Sequence, residues 1–126
     1  MSEVNARTHE KQLLCKLLLG PEKNFPLAMQ AKLTTEDFST EKNRDIFEAL
    51  QQMYHTREQS FSIGPGKVRT VIADYGIMKV EEILKSRGKL DRDYLFRLEC
   101  TWLDHELTVI DHIHSLRKWK QQPVGV

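Results

Sequence analysis

The sequence predicts an all-α fold: a compact orthogonal bundle of short helices with a long C-terminal helix or helical hairpin. Three observations carry this expectation. Apolar residues recur at three- and four-residue spacing from Leu13 to Leu116, the period of a helix with one buried face. Gly20-Pro21, Gly64-Pro65-Gly66, Gly76 and Gly88 punctuate the chain at intervals of helical length. From Lys89 to Gln122 there is neither Gly nor Pro, so nothing in that stretch forces a break.

The first helix is expected from about Arg7 to Leu19, where Leu13, Leu14, Leu17 and Leu18 form one stripe. Gly20-Pro21 ends it, because Gly accepts the left-handed cap and Pro cannot continue the ladder. A shorter helix follows with Pro26 at its first position and Leu27, Met29 and Leu33 as its apolar members. Thr34 or Thr35 can cap the next turn, Glu36 and Asp37 favour its positive end, and Phe38 is a core anchor. From about Thr40 to His55, Ile46, Phe47, Leu50, Met53 and Tyr54 share one face, the clearest periodicity in the chain.

Residues Thr56–Gly66 read as a loop, locally extended at most from Ser60 to Ile63. Val68, Val71, Ile72 and Tyr75 suggest a short helix ended by Gly76; Val80, Ile83 and Leu84 define the next, ended by Gly88. Asp91 can cap a final helix reaching about Gln122, about 45 Å long if unbroken. The chain thus divides into a helical globular bundle over 1–90 and an arm over 91–126, within a single domain.

Composition excludes several classes. With 19 basic and 18 acidic residues, the formal charge of +1 shows no field of one sign, against the usual signature of a dedicated DNA-binding domain. The longest apolar run is Leu17 to Leu19, so no membrane span is expected. Met1 to Asn5 lack the features of a signal peptide, and the cytoplasm is the expected compartment. Cys15 and Cys100 lie within apolar helical patterns and are expected as buried free thiols.

No constellation for catalysis, cofactor or metal emerges. Ile63-Gly64-Pro65-Gly66-Lys67-Val68 invites comparison with a phosphate-binding loop, but Phe61 and Val68 stand where the loop needs Gly and Ser or Thr. Pro65 also removes a cradling N–H, so the segment reads as a turn. Asp104, His105, Glu106, Asp111, His112 and His114 are the densest set of potential ligands. His105 and His112 lie about 10 Å apart along a helix, too far to share one ion. Asp111 with His114 has the spacing of a half-site, which a second helix would have to complete.

The same segment offers an interaction stripe. With Leu95 at a heptad core position, Leu98, Trp102, His105, Val109, His112, Leu116 and Trp119 occupy the next ones. Trp102, His105, Val109, His112, Leu116 and Trp119 are therefore the candidate partner-binding residues, with pairing of two copies through this helix as one use. A 3.6-residue stripe through Leu98, Trp102, Glu106, Val109, Ile113 and Leu116 competes with it. Arg117, Lys118 and Lys120 around Trp119, with the basic residues between Lys85 and Arg97, support an alternative as a small helical nucleic-acid-binding protein.

Several patches resemble a known family. Glu10 precedes Leu13-Leu14 and Leu17-Leu18-Leu19. Glu36-Asp37-Phe38 is followed by Arg44-Asp45-Ile46-Phe47-Glu48-Ala49-Leu50. The run Val80 to Asp91 leads to Tyr94-Leu95 and Leu98. In this order they resemble the N-terminal domain of DnaB-type replicative helicases and, almost as well, the helicase-interaction domain at the C-terminus of DnaG-type primases. The resemblance spans about Glu10 to Leu98. It implies a helical, non-catalytic module of DNA replication that supports ring assembly and primase docking, with a replicative helicase or primase as partner and no cofactor. Three features depart from the family: the region Tyr54 to Met78 is longer than its usual connection, the family's glycines ahead of the Tyr-Leu pair are absent, and no ATPase motif is present, so helicase activity is not implied.

Overall fold

Helix α1 (Glu3–Leu19) is the axis of the assembly: α2 (Pro21–Gln30), α3 (Glu41–His55), α5 (Arg92–Glu99) and α6 (Val109–Lys120) all pack against it. The computed structural model describes residues 3–72, 76–101 and 106–120. Leu13, Leu14, Leu17 and Leu18 are all buried, as their spacing requires. Gly20 separates α1 from α2, and Pro21 takes the first turn of α2, where its missing N–H costs no hydrogen bond. That is the place expected for Pro26, which instead lies inside α2. Phe25 and Ala28 supply the buried face of α2, while Leu27 and Met29 are only partly covered.

The end of α2 is unusual in its residue. Leu33 N–H donates to the Ala28 carbonyl and Lys32 N–H to that of Met29, both at 3.0 Å, while Lys32 sits at φ +58°. This is the Schellman arrangement, with lysine in the left-handed position that glycine ordinarily fills. A 3-10 turn (Thr35–Asp37) then delivers Phe38 to the core, and Thr40 caps α3 by accepting from the Asn43 N–H at 3.2 Å. Ile46, Phe47, Leu50 and Met53 are buried on one side of α3. Phe25 stacks on Tyr54 (ring centroids 4.5 Å apart), and Phe47 lies between Phe25 and Phe38, forming an aromatic centre.

The fold is mostly helical but not all-α. Strand β1 (Glu58–Gly64) pairs antiparallel with β2 (Lys67–Ile72), where the sequence suggested a loop and a short helix. Pro65 and Gly66 make the reversal, Gly66 at φ +70°. Val68, Thr70, Val71 and Ile72 are β-branched and follow a tight turn, so pairing outcompetes helix formation. Helix α4 (Ile77–Ser86) then buries Val80, Ile83 and Leu84 against α3 and ends at Gly88, φ +68°.

The long C-terminal helix is also corrected. α5 ends at Glu99 and α6 begins at Val109; the described residues between them, 100–101 and 106–108, are not helical. Local side-chain bonds explain a break without Gly or Pro. The Thr101 hydroxyl donates to the Arg97 carbonyl at 3.1 Å, and Thr108 with Asp111 forms a reciprocal cap opening α6. Each of the two helices packs on α1.

Candidate interaction surface

The C-terminal stripe is the first place to look, because it carries the sequence's partner-binding candidates. Val109, His112, Ile113 and Leu116 are all buried, so the covered face of α6 includes His112 of the heptad reading and Ile113 of the 3.6-residue reading, with Val109 and Leu116 common to both. Val109, His112 and Leu116 therefore belong to the chain's own core, on the face that α6 turns to α1 and α2. Trp102 and His105 lie outside the described residues, as does the side chain of Trp119.

Polar contacts fix α6 in place. The ring of His112 meets that of His9 on α1, with their Nδ1 atoms 3.0 Å apart. Burial holds the His9 imidazole below its usual pKa of 6.5. Arg117 donates to both oxygens of Asp37, each at 3.2 Å, and to the Lys32 carbonyl at 3.0 Å. One guanidinium thereby ties α6 to the α2 end and the 3-10 turn. Asp111, half of the candidate metal pair, accepts from the Thr108 N–H at 2.8 Å, and that bond with the Thr108 hydroxyl lowers its pKa. Among the described residues no three His, Cys, Asp or Glu side chains converge as a metal site.

A second buried polar cluster joins α1, α3 and α5. Glu10 is 1% exposed, and its carboxylate accepts from the Ser39 N–H and the Ser39 hydroxyl, both at 2.6 Å. The Asn43 amide reaches the same carboxylate at 3.5 Å, and the Tyr94 hydroxyl donates to the Asn43 carbonyl oxygen. Burial raises the pKa of that phenol, keeping it a donor. The carboxylate sits at the positive end of α3, where a negative charge is favoured. This is architecture, not chemistry: every polar atom is occupied in holding helices together.

Cys15 is buried as expected, its thiol pKa raised mainly by burial and then by the nearby Cys100 and Glu99. Cys100 is exposed, contrary to the sequence reading, because it caps the end of α5 outside the buried face.

Two of the exposed apolar side chains lie on α4 and α5. Met78 is 80% exposed and Phe96 64% exposed, large apolar side chains with no core role. Ile77, Met78 and Leu90 line an open groove of about 600 Å³, rimmed by Lys79, Glu82, Lys85 and Arg92. Its floor is anchored to α3 by Lys89 with Asp45 (3.0 Å), Arg87 with Glu48 (3.5 Å) and Lys42 with Asp91 (2.7 Å). An apolar floor with a mixed-charge rim is the composition of a protein-docking site. Sequence periodicity could not single out Met78 or Phe96, since each stands one residue away from core positions.

Residues 2–61 match the family model of the DnaB-like helicase N terminal domain. This match supports the resemblance read from the sequence. The DnaB-like helicase N terminal domain is itself non-catalytic. No curated protein and no solved structure gives a significant match. The matched stretch takes in α1, α2, the 3-10 turn and α3, and ends within β1. Among the described residues no helix is long and apolar enough to cross a membrane.

Proposed function

We propose that this protein is a non-enzymatic docking module of DNA replication, whose partner is a replicative helicase or a primase. The match of residues 2–61 to the DnaB-like helicase N terminal domain carries this reading. The family's role in ring assembly and primase docking needs an apolar surface left open after the core is complete. The groove beside Met78, with Phe96 on the next helix, is the surface that meets this requirement. A partner helix laid into the groove would cover Ile77, Met78 and Leu90 and set its charged edges against Lys79, Glu82, Lys85 and Arg92. Trp102, His105 and Trp119 stay in the proposal as contacts from the segments next to and within α6. Val109, His112 and Leu116 would be reached only if α6 left the body, which makes pairing of two copies through that face the costlier arrangement.

Light scattering on a sizing column tests the proposal, first with the chain alone and then mixed with the host's replicative helicase and primase. Co-elution with one of them is expected, and Met78→Asp with Phe96→Asp should abolish it while leaving the circular dichroism spectrum unchanged. A chain that ignores both partners overturns the function.

A further inference from the structure

The hairpin falls outside the docking argument. β1 and β2 pack chiefly on each other and not on the helices. A two-stranded hairpin without a core beneath it is only marginally stable in water. Yet this one carries Phe61 at 51%, Ile63 at 63% and Val68 at 68% exposure. The register fixes which side chains share a face. Phe61 is opposite Arg69, and Gly64 is opposite Lys67 at the turn. Ser60 is opposite Thr70, their hydroxyls 3.1 Å apart, and Ser62 is opposite Val68, so these four share the other face.

The charge is as uneven as the apolar surface. Between Arg57 and Ile72, Arg57, Lys67 and Arg69 face a single acid, Glu58, leaving +2 in a chain whose total is +1. Elsewhere five bases, Lys42, Lys79, Arg87, Lys89 and Arg117, each pair with a carboxylate. Arg57 lies over the Tyr54 ring and reaches Glu58 at 4.0 Å. Lys67 and Arg69 pair with no acid among the described residues.

We propose that the Phe61–Arg69 face of the hairpin, with Lys67 at its turn, binds single-stranded nucleic acid. An exposed ring stacks on a base whatever its sequence, and adjacent cations hold the phosphates on either side. Cross-strand neighbours stand about 5 Å apart, close enough for ring and guanidinium to serve one nucleotide and its phosphate. A six- to seven-residue ribbon is about 20 Å long, room for a few nucleotides. A peptide strand would dock on the ribbon's edge and make no demand for an aromatic residue beside a cation on its face. A second copy joined through β2 would set Lys67 and Arg69 against their own like charges. This surface is independent of the groove on α4, so either can fail without the other.

Fluorescence anisotropy of the full chain with a labelled oligo-deoxythymidine of about 20 nucleotides is the test. Binding is expected to weaken steeply from about 50 to 200 mM salt. Phe61→Ala should weaken it about ten-fold, and Lys67→Glu with Arg69→Glu should abolish it. Val68→Ser, on the opposite face, should leave it unchanged. All four side chains are exposed, so circular dichroism should stay constant. The proposal is overturned by absence of binding at low salt, or by binding that the hairpin variants leave intact, which would place the contact at the basic end of α6. It is equally overturned if Phe61→Ala and Val68→Ser both convert a dimer to a monomer without affecting oligonucleotide binding, for the hairpin is then a protein contact.

Discussion

Replacing Glu10 by glutamine tests whether the charge at the α1–α3 junction, or only its shape, holds the domain together. The carboxylate receives two bonds of 2.6 Å from Ser39 and a long one from Asn43 at 3.5 Å. A bond to a charged acceptor contributes about 1.5–3 kcal/mol, against about 1 for a neutral one. Glutamine keeps one oxygen for the Ser39 N–H, and the Ser39 hydroxyl can turn to accept from the new amide. The loss is thus the charge-assisted part of two bonds, reduced because Ser39 lies toward solvent and can rehydrate. Adding the favourable position of a carboxylate at the α3 N-terminus gives about 1–2 kcal/mol for Glu10→Gln. Glu10→Ala removes both acceptors and opens a void, costing about 2–4 kcal/mol. Urea denaturation followed at the helical band should show the midpoint falling in the order wild type, Gln, Ala, at constant slope. If Glu10→Gln unfolds within about 0.3 kcal/mol of the wild type, the desolvation of the carboxylate offsets its bonds and the reasoning fails.

Two further outcomes follow from the attachment of α6. The lowered pKa of His9 means that the native state binds fewer protons than the unfolded one just below pH 6.5. Its contribution is therefore full above about pH 6.5 and is lost as the pH falls toward the depressed value. Protonating both rings of the His9–His112 pair would also oppose two donors at 3.0 Å. Stability should drop as the pH falls below about 6.5 and do so less in His9→Phe; a flat profile in the wild type would refute it. Asp91 and Asp111, whose pKa values lie below the usual 3.8, do not titrate near that pH. Arg117→Ala removes the paired bonds to Asp37 and the one to Lys32, and should cost about 1 kcal/mol because the guanidinium is partly exposed. Arg117→Lys should recover little of that in thermal melts, since lysine cannot reproduce the fork.

The helices with a strong apolar stripe were readable from the sequence, and for a physical reason. In α3 and α4 the 3.6-residue period and the stops at Thr56 and Gly88 all agree with the tertiary fold. The hairpin was missed because Val68, Val71 and Ile72 fit a helical spacing as well as an alternating one over so short a run. The sequence leaves one long helix and a hairpin both open, because the break before α6 depends on Thr101 and Thr108 bonding to nearby backbone, a signal weaker than Gly or Pro. Lys32 in a left-handed cap leaves no trace in composition. An apolar stripe announces burial, but not whether the cover is a partner or the chain itself. His112 illustrates this. It reads as an interfacial switch, yet it is a core residue whose partner, His9, lies 103 positions away.

The family match stops at residue 61, yet α6 covers α1, α2 and the 3-10 turn, all within the matched half. A chain ending at Thr101 would lose Val109, Ile113 and Leu116, each at most 2% exposed. At about 1.5–3 kcal/mol for each buried side chain, the loss is about 5–9 kcal/mol before the newly uncovered α1 face is counted. Single domains are stable by only about 5–15 kcal/mol, so the truncated chain should keep helical signal but lose cooperative unfolding and bind a hydrophobic dye. Replacing residues 58–72 by a short Gly-Ser linker should cost less than about 1 kcal/mol, because the hairpin packs chiefly on itself. A cooperative truncated chain, or a hairpin deletion that unfolds the protein, would invert this ranking. The expected ranking makes α6 part of the core that the matched half needs, and the hairpin an appendage free to serve a ligand.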